Sequence, residues 1–322
     1  MKRHLLGAVL ALAVPSLAVA QDCGKVTIGE MNWASAQIGV AVSKFLLEQG
    51  YGCEVEVVLS DTTPAVTSLA ENNEPDIVPE LWRNSVGEVY DKLKQGGKIA
   101  ELTQTLDPGG VEGWWIPTYL AEAHPELKTI EGVLANPELV GGMFNNCPDG
   151  WGCRIVSDNL ARAFDLEGHG IKVFDHGSGE TLAASIASAY TDKKPWFGYY
   201  WAPTTPLGKY DMTSIDLGPY DKAAHEANQN PGNPDPKPSA FPIAPVLTVV
   251  TTDFRDSHPV VSEFLANVSF KTDKMSALLA WQDENKATAE ETAVYFLQNN
   301  TETWGAWLND DARAKLSKLL DK

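Results

Sequence analysis

The feature that most constrains this chain is a regular exchange between two hydrophobic periods. Val26 to Met31 alternates apolar and polar side chains as a strand does. Ile38, Val42, Phe45 and Leu46 then keep helical spacing until Gly50 supplies a stop. Glu54 to Leu59 returns to the strand period, and Thr62-Thr63-Pro64 opens a helix with proline in its first turn. Ile77 to Leu81 is again strand-like, and a helix follows to Gly96-Gly97. A second series runs from the strand Trp114 to Tyr119 through a helix opened by Thr129 to the strand Val140 to Phe144. It continues with helix Arg154 to Phe164, strand Ile171 to Phe174, helix Thr181 to Tyr190 and strand Trp196 to Trp201. Strands separated by helices form mostly parallel sheets covered on both faces.

The rhythm lapses between Pro206 and Pro242, where Asn228 to Pro238 reads as a surface loop. Pro245 to Thr252 is a last strand, and everything after it is helical, with Trp281, Trp304 and Trp307 as helix packing. The expected fold class is therefore α/β in two lobes, each a mostly parallel sheet flanked by helices. One lobe takes both ends of the chain, 21–111 plus 245–322, and the other takes 112–244. Strands near Val111 to Ile116 and Ala244 to Thr248 serve as the hinge.

The chain opens Met1-Lys2-Arg3, runs apolar from Leu5 to Val14 and reaches Ala18-Val19-Ala20, the pattern of a secretory signal peptide over 1–20. Its apolar run is too short to span a bilayer, so a periplasmic location is expected. In an oxidising compartment the four cysteines imply disulfides, with three pairings open. Cys147 and Cys153 enclose Pro148, Gly150 and Gly152 and make the natural small loop, which leaves Cys23 with Cys53. A net charge of −18 opposes nucleic acid or anionic lipid as the main partner, and a monomer is expected.

Signatures of catalysis are absent. The chain has no G-x-S-x-G elbow, no phosphate-cradling G-x-x-x-x-G-K and no H-E-x-x-H. Ser178 reads as a helix N-cap with Glu180 in the first turn, and His169 and His176 are expected at solvent-exposed ends. The loop 228–238 has calcium-like composition without the glutamate of an EF-hand. The expectation is no enzyme, no cofactor and no metal.

The ten tryptophans carry more information through their positions than their number. Trp33 and Trp82 end strands, Trp151 begins a helix and Trp201 ends a strand. Ligands of open α/β sheets sit at those ends. Indole faces attract a cation for roughly 0.5–1 kcal/mol when exposed and about 2 when dry. A methylated ammonium suits such faces because its methyl groups bury apolar surface and ask for no hydrogen bonds. The turn Asn146 to Arg154 leads into a helix whose first free N–H groups suit a carboxylate or N-oxide oxygen.

At these residues the chain resembles the glycine betaine/choline/trimethylamine N-oxide-type substrate-binding proteins of ABC importers, a family with the type II periplasmic-binding fold. The resemblance covers essentially everything after the signal peptide. Asn146 to Cys153 is similar to the Asn-Pro-Gly-Trp-Gly-Cys turn of the betaine branch, which implies ligand roles for Trp151, Gly152 and Cys153. Leu81-Trp82 and Tyr200-Trp201-Ala202-Pro203 match two further box positions. Asn32-Trp33-Ala34-Ser35 and Gly113-Trp114 match the choline branch, with Trp114 preferred to Trp115. Ser35 stands where choline binders carry an aspartate, and Val86 where the betaine binder carries a histidine. Both departures favour a compact ligand: trimethylamine N-oxide first, glycine betaine next, dimethylsulfoniopropionate or choline behind. The resemblance also implies an ABC permease with its ATPase as partner. Rival readings are a secreted choline-ester hydrolase and the binding module of a sensor.

Overall fold

In the computed structural model the described residues, 23–320, carry ten strands: β1 (Gly24–Met31), β2 (Cys53–Ser60), β3 (Ile77–Trp82), β4 (Ile99–Pro117), β5 (Met143–Asn146), β6 (Lys172–Asp175), β7 (Gly198–Ala202), β8 (Met212–Ser214), β9 (Ala244–Thr251) and β10 (Phe270–Lys271). Their order is β2-β1-β3-β9-β4-β7-β5-β6, with β8 and β10 each pairing to β4. The pairs β1/β2, β1/β3, β5/β6 and β5/β7 are parallel. The central pairs β3/β9, β9/β4 and β4/β7 are antiparallel. The expected signal peptide over 1–20 lies outside the described residues.

The 19-residue β4 joins the two halves of this arrangement. Its first part, Ile99 to Gly110, pairs with β9, and Val111 to Trp115 pairs with β7. The strand expected near Val111 to Ile116 is thus the end of a much longer one, which runs through Asp107-Pro108-Gly109-Gly110. Both glycines permit close approach within a strand. Gly109 has a φ of +140°, and a Cβ there would lie 2.6 Å from the Ala244 carbonyl oxygen. Chain returning along β9 can therefore lie flat against β4 only because the side chain is missing.

Each half is closed by helices on its sheet. Val26, Ile28 and Met31 of β1 are buried, as are Ile38, Val42 and Leu46 of the helix Ala34–Leu46. Trp304 and Trp307 are buried, Trp307 against Phe270 and Phe296, and Trp281 stacks on Tyr295 at 4.0 Å. His176 departs from expectation. It is buried rather than solvent-exposed, because the chain leaving β6 folds back and sets its Nε2 3.0 Å from Asn145 Oδ1. His169 is exposed. The loop 228–238 lies mostly at the surface and is tied by its own side chains. Asn233 Nδ2 donates to Asn228 Oδ1, and Asn228 Nδ2 donates to the Lys237 carbonyl.

Disulfides join Cys23 to Cys53 and Cys147 to Cys153. The first ties the starts of β1 and β2 across 30 residues of sequence. A constraint of that length is worth about 3.6 kcal/mol through the entropy of the unfolded chain. Replacing Cys23 and Cys53 by serine is expected to lower unfolding free energy by about 2–4 kcal/mol in urea titrations. An unchanged midpoint would contradict this.

Candidate ligand-binding site

Four indoles meet where the two halves face each other. Trp33 follows the end of β1 as N-cap of the helix Ala34–Leu46, and Trp82 is the last residue of β3. From the other half, Trp151 is the N-cap of the helix Gly152–Ala163, and Trp201 lies near the end of β7. All four line one cavity of about 300 Å³, together with Tyr199 and Glu112. Trp151 is the centrepiece, edge-on to Trp33 at 5.4 Å and to Trp201 at 5.0 Å between ring centroids. Tyr199 lies parallel to Trp201 at 6.3 Å.

Three of the four rings are fixed by a hydrogen bond from the indole N–H. Trp33 Nε1 donates to Glu80 Oε1 at 2.6 Å, and Trp82 Nε1 donates to the same oxygen at 3.1 Å. Glu80 can reach Trp82 because residues two apart on a strand share a face. The edge of the Trp82 ring occupies space beside Gly110, where a Cβ would lie only 2.1 Å from it. Trp151 Nε1 donates to Asn32 Oδ1 at 2.7 Å, so this wall is tied across the cleft. Thr63 N–H donates to the Gly150 carbonyl at 3.1 Å in the same seam. Gly150 holds a φ of +87°, and a Cβ on it would press on Asp61.

Glu112 is the polar group of the cavity. It pairs in register with Trp201, and Tyr199 Oη donates to its Oε1 at 2.8 Å. Its Oε2 is buried without a hydrogen-bond partner. Burial pushes this carboxyl up to about 7, against Tyr199 and, more distantly, Asn84 and Ser85, which pull the other way. Around neutrality it is therefore substantially a carboxylic acid, able to donate. A second source of donors is the start of the helix Gly152–Ala163, which has no side-chain cap and no acidic residue in its first turn. Gly152 and Cys153 both line the cavity there. None of the lining residues is basic.

Of the residues singled out in the sequence, Trp33, Trp82, Trp151, Trp201, Gly152 and Cys153 are brought together. Two are not. Trp114 lies fully buried among Phe144, Phe164 and Phe197, with Nε1 3.5 Å from Ser157 Oγ. It shares a strand face with Glu112 but sits one strand repeat deeper, beneath the helix Gly152–Ala163. Trp115 points the other way and donates to the Tyr200 carbonyl. Ser35 does not line the cage. Its hydroxyl donates to Glu80 Oε1 at 2.9 Å, and it borders a separate cavity of about 670 Å³ behind the indoles. Glu80, Glu112, Tyr199 and Gly110 were missed by sequence reasoning. A period-two reading back from Trp82 reaches Glu80, and one back from Trp201 reaches Tyr199.

Residues 24–299 match the family described as the substrate binding domain of ABC-type glycine betaine transport systems. The trimethylamine N-oxide-binding protein of Pelagibacter ubique is 22% identical over 291 residues, covering 87% of this chain and 89% of that one. Among solved structures, the glycine betaine, L-proline-binding protein of Borrelia burgdorferi has a TM-score of 0.75 at 18% identity, over 90% of this chain and 99% of its own. An ABC-transporter choline-binding protein in complex with choline has a TM-score of 0.75 at 19% identity, over 92% and 98%. These likenesses place the fold among two-lobed type II periplasmic-binding proteins.

Gly152 faces Ser85 so closely that an added Cβ would lie 2.4 Å from the Ser85 Cβ and 2.5 Å from its carbonyl oxygen. Those residues come from opposite sides of the cleft. Gly152→Ala is therefore expected to prevent full approach and to weaken ligand binding about tenfold or more. Small-angle scattering should detect no ligand-driven compaction. Unaltered affinity would show that the seam has slack.

Proposed function

This chain belongs to the family of substrate-binding domains of ABC-type glycine betaine transport systems, and from that premise we propose that it captures a compact methylated ammonium compound in its indole cage. Trimethylamine N-oxide is the first candidate. The observation that carries this reading is the pairing of four indoles with one buried, unpartnered carboxyl oxygen, that of Glu112. The ring faces suit the methylated cationic head. A protonated Glu112 suits a neighbouring oxygen acceptor, and its unpartnered state is costly until such a group arrives.

Glycine betaine is the second reading, supported by the uncapped helix start at Gly152 and Cys153, which suits a carboxylate. It ranks second because no base lines the cavity and because Glu112, once ionised, repels a full negative charge. Choline and dimethylsulfoniopropionate follow. Members of this family are transport binding proteins rather than enzymes. A choline-ester hydrolase finds no support in Ser35, whose hydroxyl is committed to Glu80.

In this reading the lobes are 21–111 plus 245–322 and 112–244, and β4 and β9 act as the hinge. Ligand favours the closed arrangement because its partners come from both sides of the cleft. The closed monomer, in the periplasm, then delivers ligand to a membrane permease and its ATPase.

Trp82→Ala and Trp201→Ala are each expected to cost about 1 kcal/mol or more of binding, read by calorimetry with trimethylamine N-oxide. Unchanged affinity in both would remove them from the site. Affinity for the N-oxide should also depend on pH. The acid form of Glu112 donates, so binding is strongest below about pH 7 and weakens above it, by about tenfold between pH 6 and 8.5. Glu112→Gln, which keeps a donor and cannot titrate, should bind with a flat profile. A flat profile in the unaltered protein would exclude Glu112 as the oxygen's donor.

A further inference from the structure

We propose that Glu80 is the buried counter-charge and positioning residue of the cage, setting the Trp33 and Trp82 rings and making the pocket prefer a cationic head over a neutral one of equal shape. Three donors converge on one of its oxygens, Oε1: Trp33 Nε1 at 2.6 Å, Trp82 Nε1 at 3.1 Å and Ser35 Oγ at 2.9 Å. The carboxyl is almost completely buried, at 2% exposure. An oxygen that accepts three hydrogen bonds is best matched by an ionised carboxylate, whose hydrogen bonds are about twice as strong as neutral ones. Burial, the largest influence, raises the pKa of this carboxyl, and the three donors oppose it by favouring the charged form; no base is among the influences. The charged form lacks a positive partner within the protein, so a cation arriving beyond the rings is what favours it.

The missing partner belongs on the other side of the rings. Glu80 is not part of the cage lining, whereas Trp33 and Trp82 are. The carboxylate therefore acts on the ligand through two indoles, whose N–H bonds it polarises. Electron density drawn toward the ring faces strengthens their attraction for a cation, and the charge adds its own field in a medium of low polarity. Geometry and charge work together here. Without Glu80, two buried indole N–H groups and the Ser35 hydroxyl would be unpaired, and both rings would lose their fixed orientation.

This rests on the methylated-ammonium reading, so the test separates the two. tert-Butanol has the shape of trimethylamine N-oxide without the formal charges. Affinities of both compounds are measured by competition in the unaltered protein and in Glu80→Gln, whose amide oxygen still accepts indole N–H groups. The expected result is an N-oxide affinity lower by about fivefold or more, with tert-butanol changed less than about twofold. Equal losses for both compounds, or no loss, would overturn the counter-charge role while leaving the cage intact. An unaltered protein that binds neither compound would overturn both readings. Should Glu80→Gln not fold, Trp33→Phe removes one of the two indole donors and keeps an aromatic face. It should lower the N-oxide to tert-butanol affinity ratio by about twofold, and an unchanged ratio would count against Glu80.

Discussion

In the proposed function, everything turns on removing a small, permanently charged, methylated head from water without giving it a salt-bridge partner in direct contact. Water solvates such a head weakly because its methyl groups cannot donate strong hydrogen bonds, so an aromatic enclosure competes well where it would fail for a primary ammonium. The enclosure must approach from several sides at once. No single strand end can supply that, and a cleft between two sheets can. On that reading the seam of Trp151 with Asn32 and of Gly150 with Thr63 serves recognition as well as the fold.

Two buried carboxyls divide the electrostatic work. Glu80 lies behind the rings with three donors on one oxygen. Glu112 lies in the cavity wall with one donor from Tyr199 and one oxygen left over. Burial raises the pKa of both, but their settings differ, with three donors on one oxygen of Glu80 and a single donor and an open oxygen on Glu112. In the roles proposed for them, Glu80 favours the positive end of a small zwitterion and Glu112 meets its oxygen.

The strand–helix exchange was legible because it is written in hydrophobic period, and the positions of Trp33, Trp82, Trp151 and Trp201 followed from where strands end. What stayed hidden has physical reasons. The passage of β4 through Gly109 and Gly110 was concealed because two consecutive glycines carry no hydrophobic period, and the contact that needs them is with the distant Ala244. Trp114 was misplaced because the right strand face says nothing of depth, and Glu112 holds the position that reaches the cavity. Glu80 and Glu112 are two acids among 43. Nothing in composition marks the buried ones, although the two-residue spacing of Glu80 to Trp82 does, as does the register pairing of Glu112 with Trp201 once it is known. The ring of Trp82 against Gly110 belongs to the same class, a contact that exists only after β3, β9 and β4 are laid side by side.

The most direct test of this account is a crystal structure grown with trimethylamine N-oxide. The nitrogen should lie within about 6 Å of the Trp33, Trp82, Trp151 and Trp201 ring centroids, with its oxygen in hydrogen-bonding reach of Glu112 Oε2. Ligand density in the larger cavity behind the indoles, or an oxygen turned away from Glu112, would contradict it.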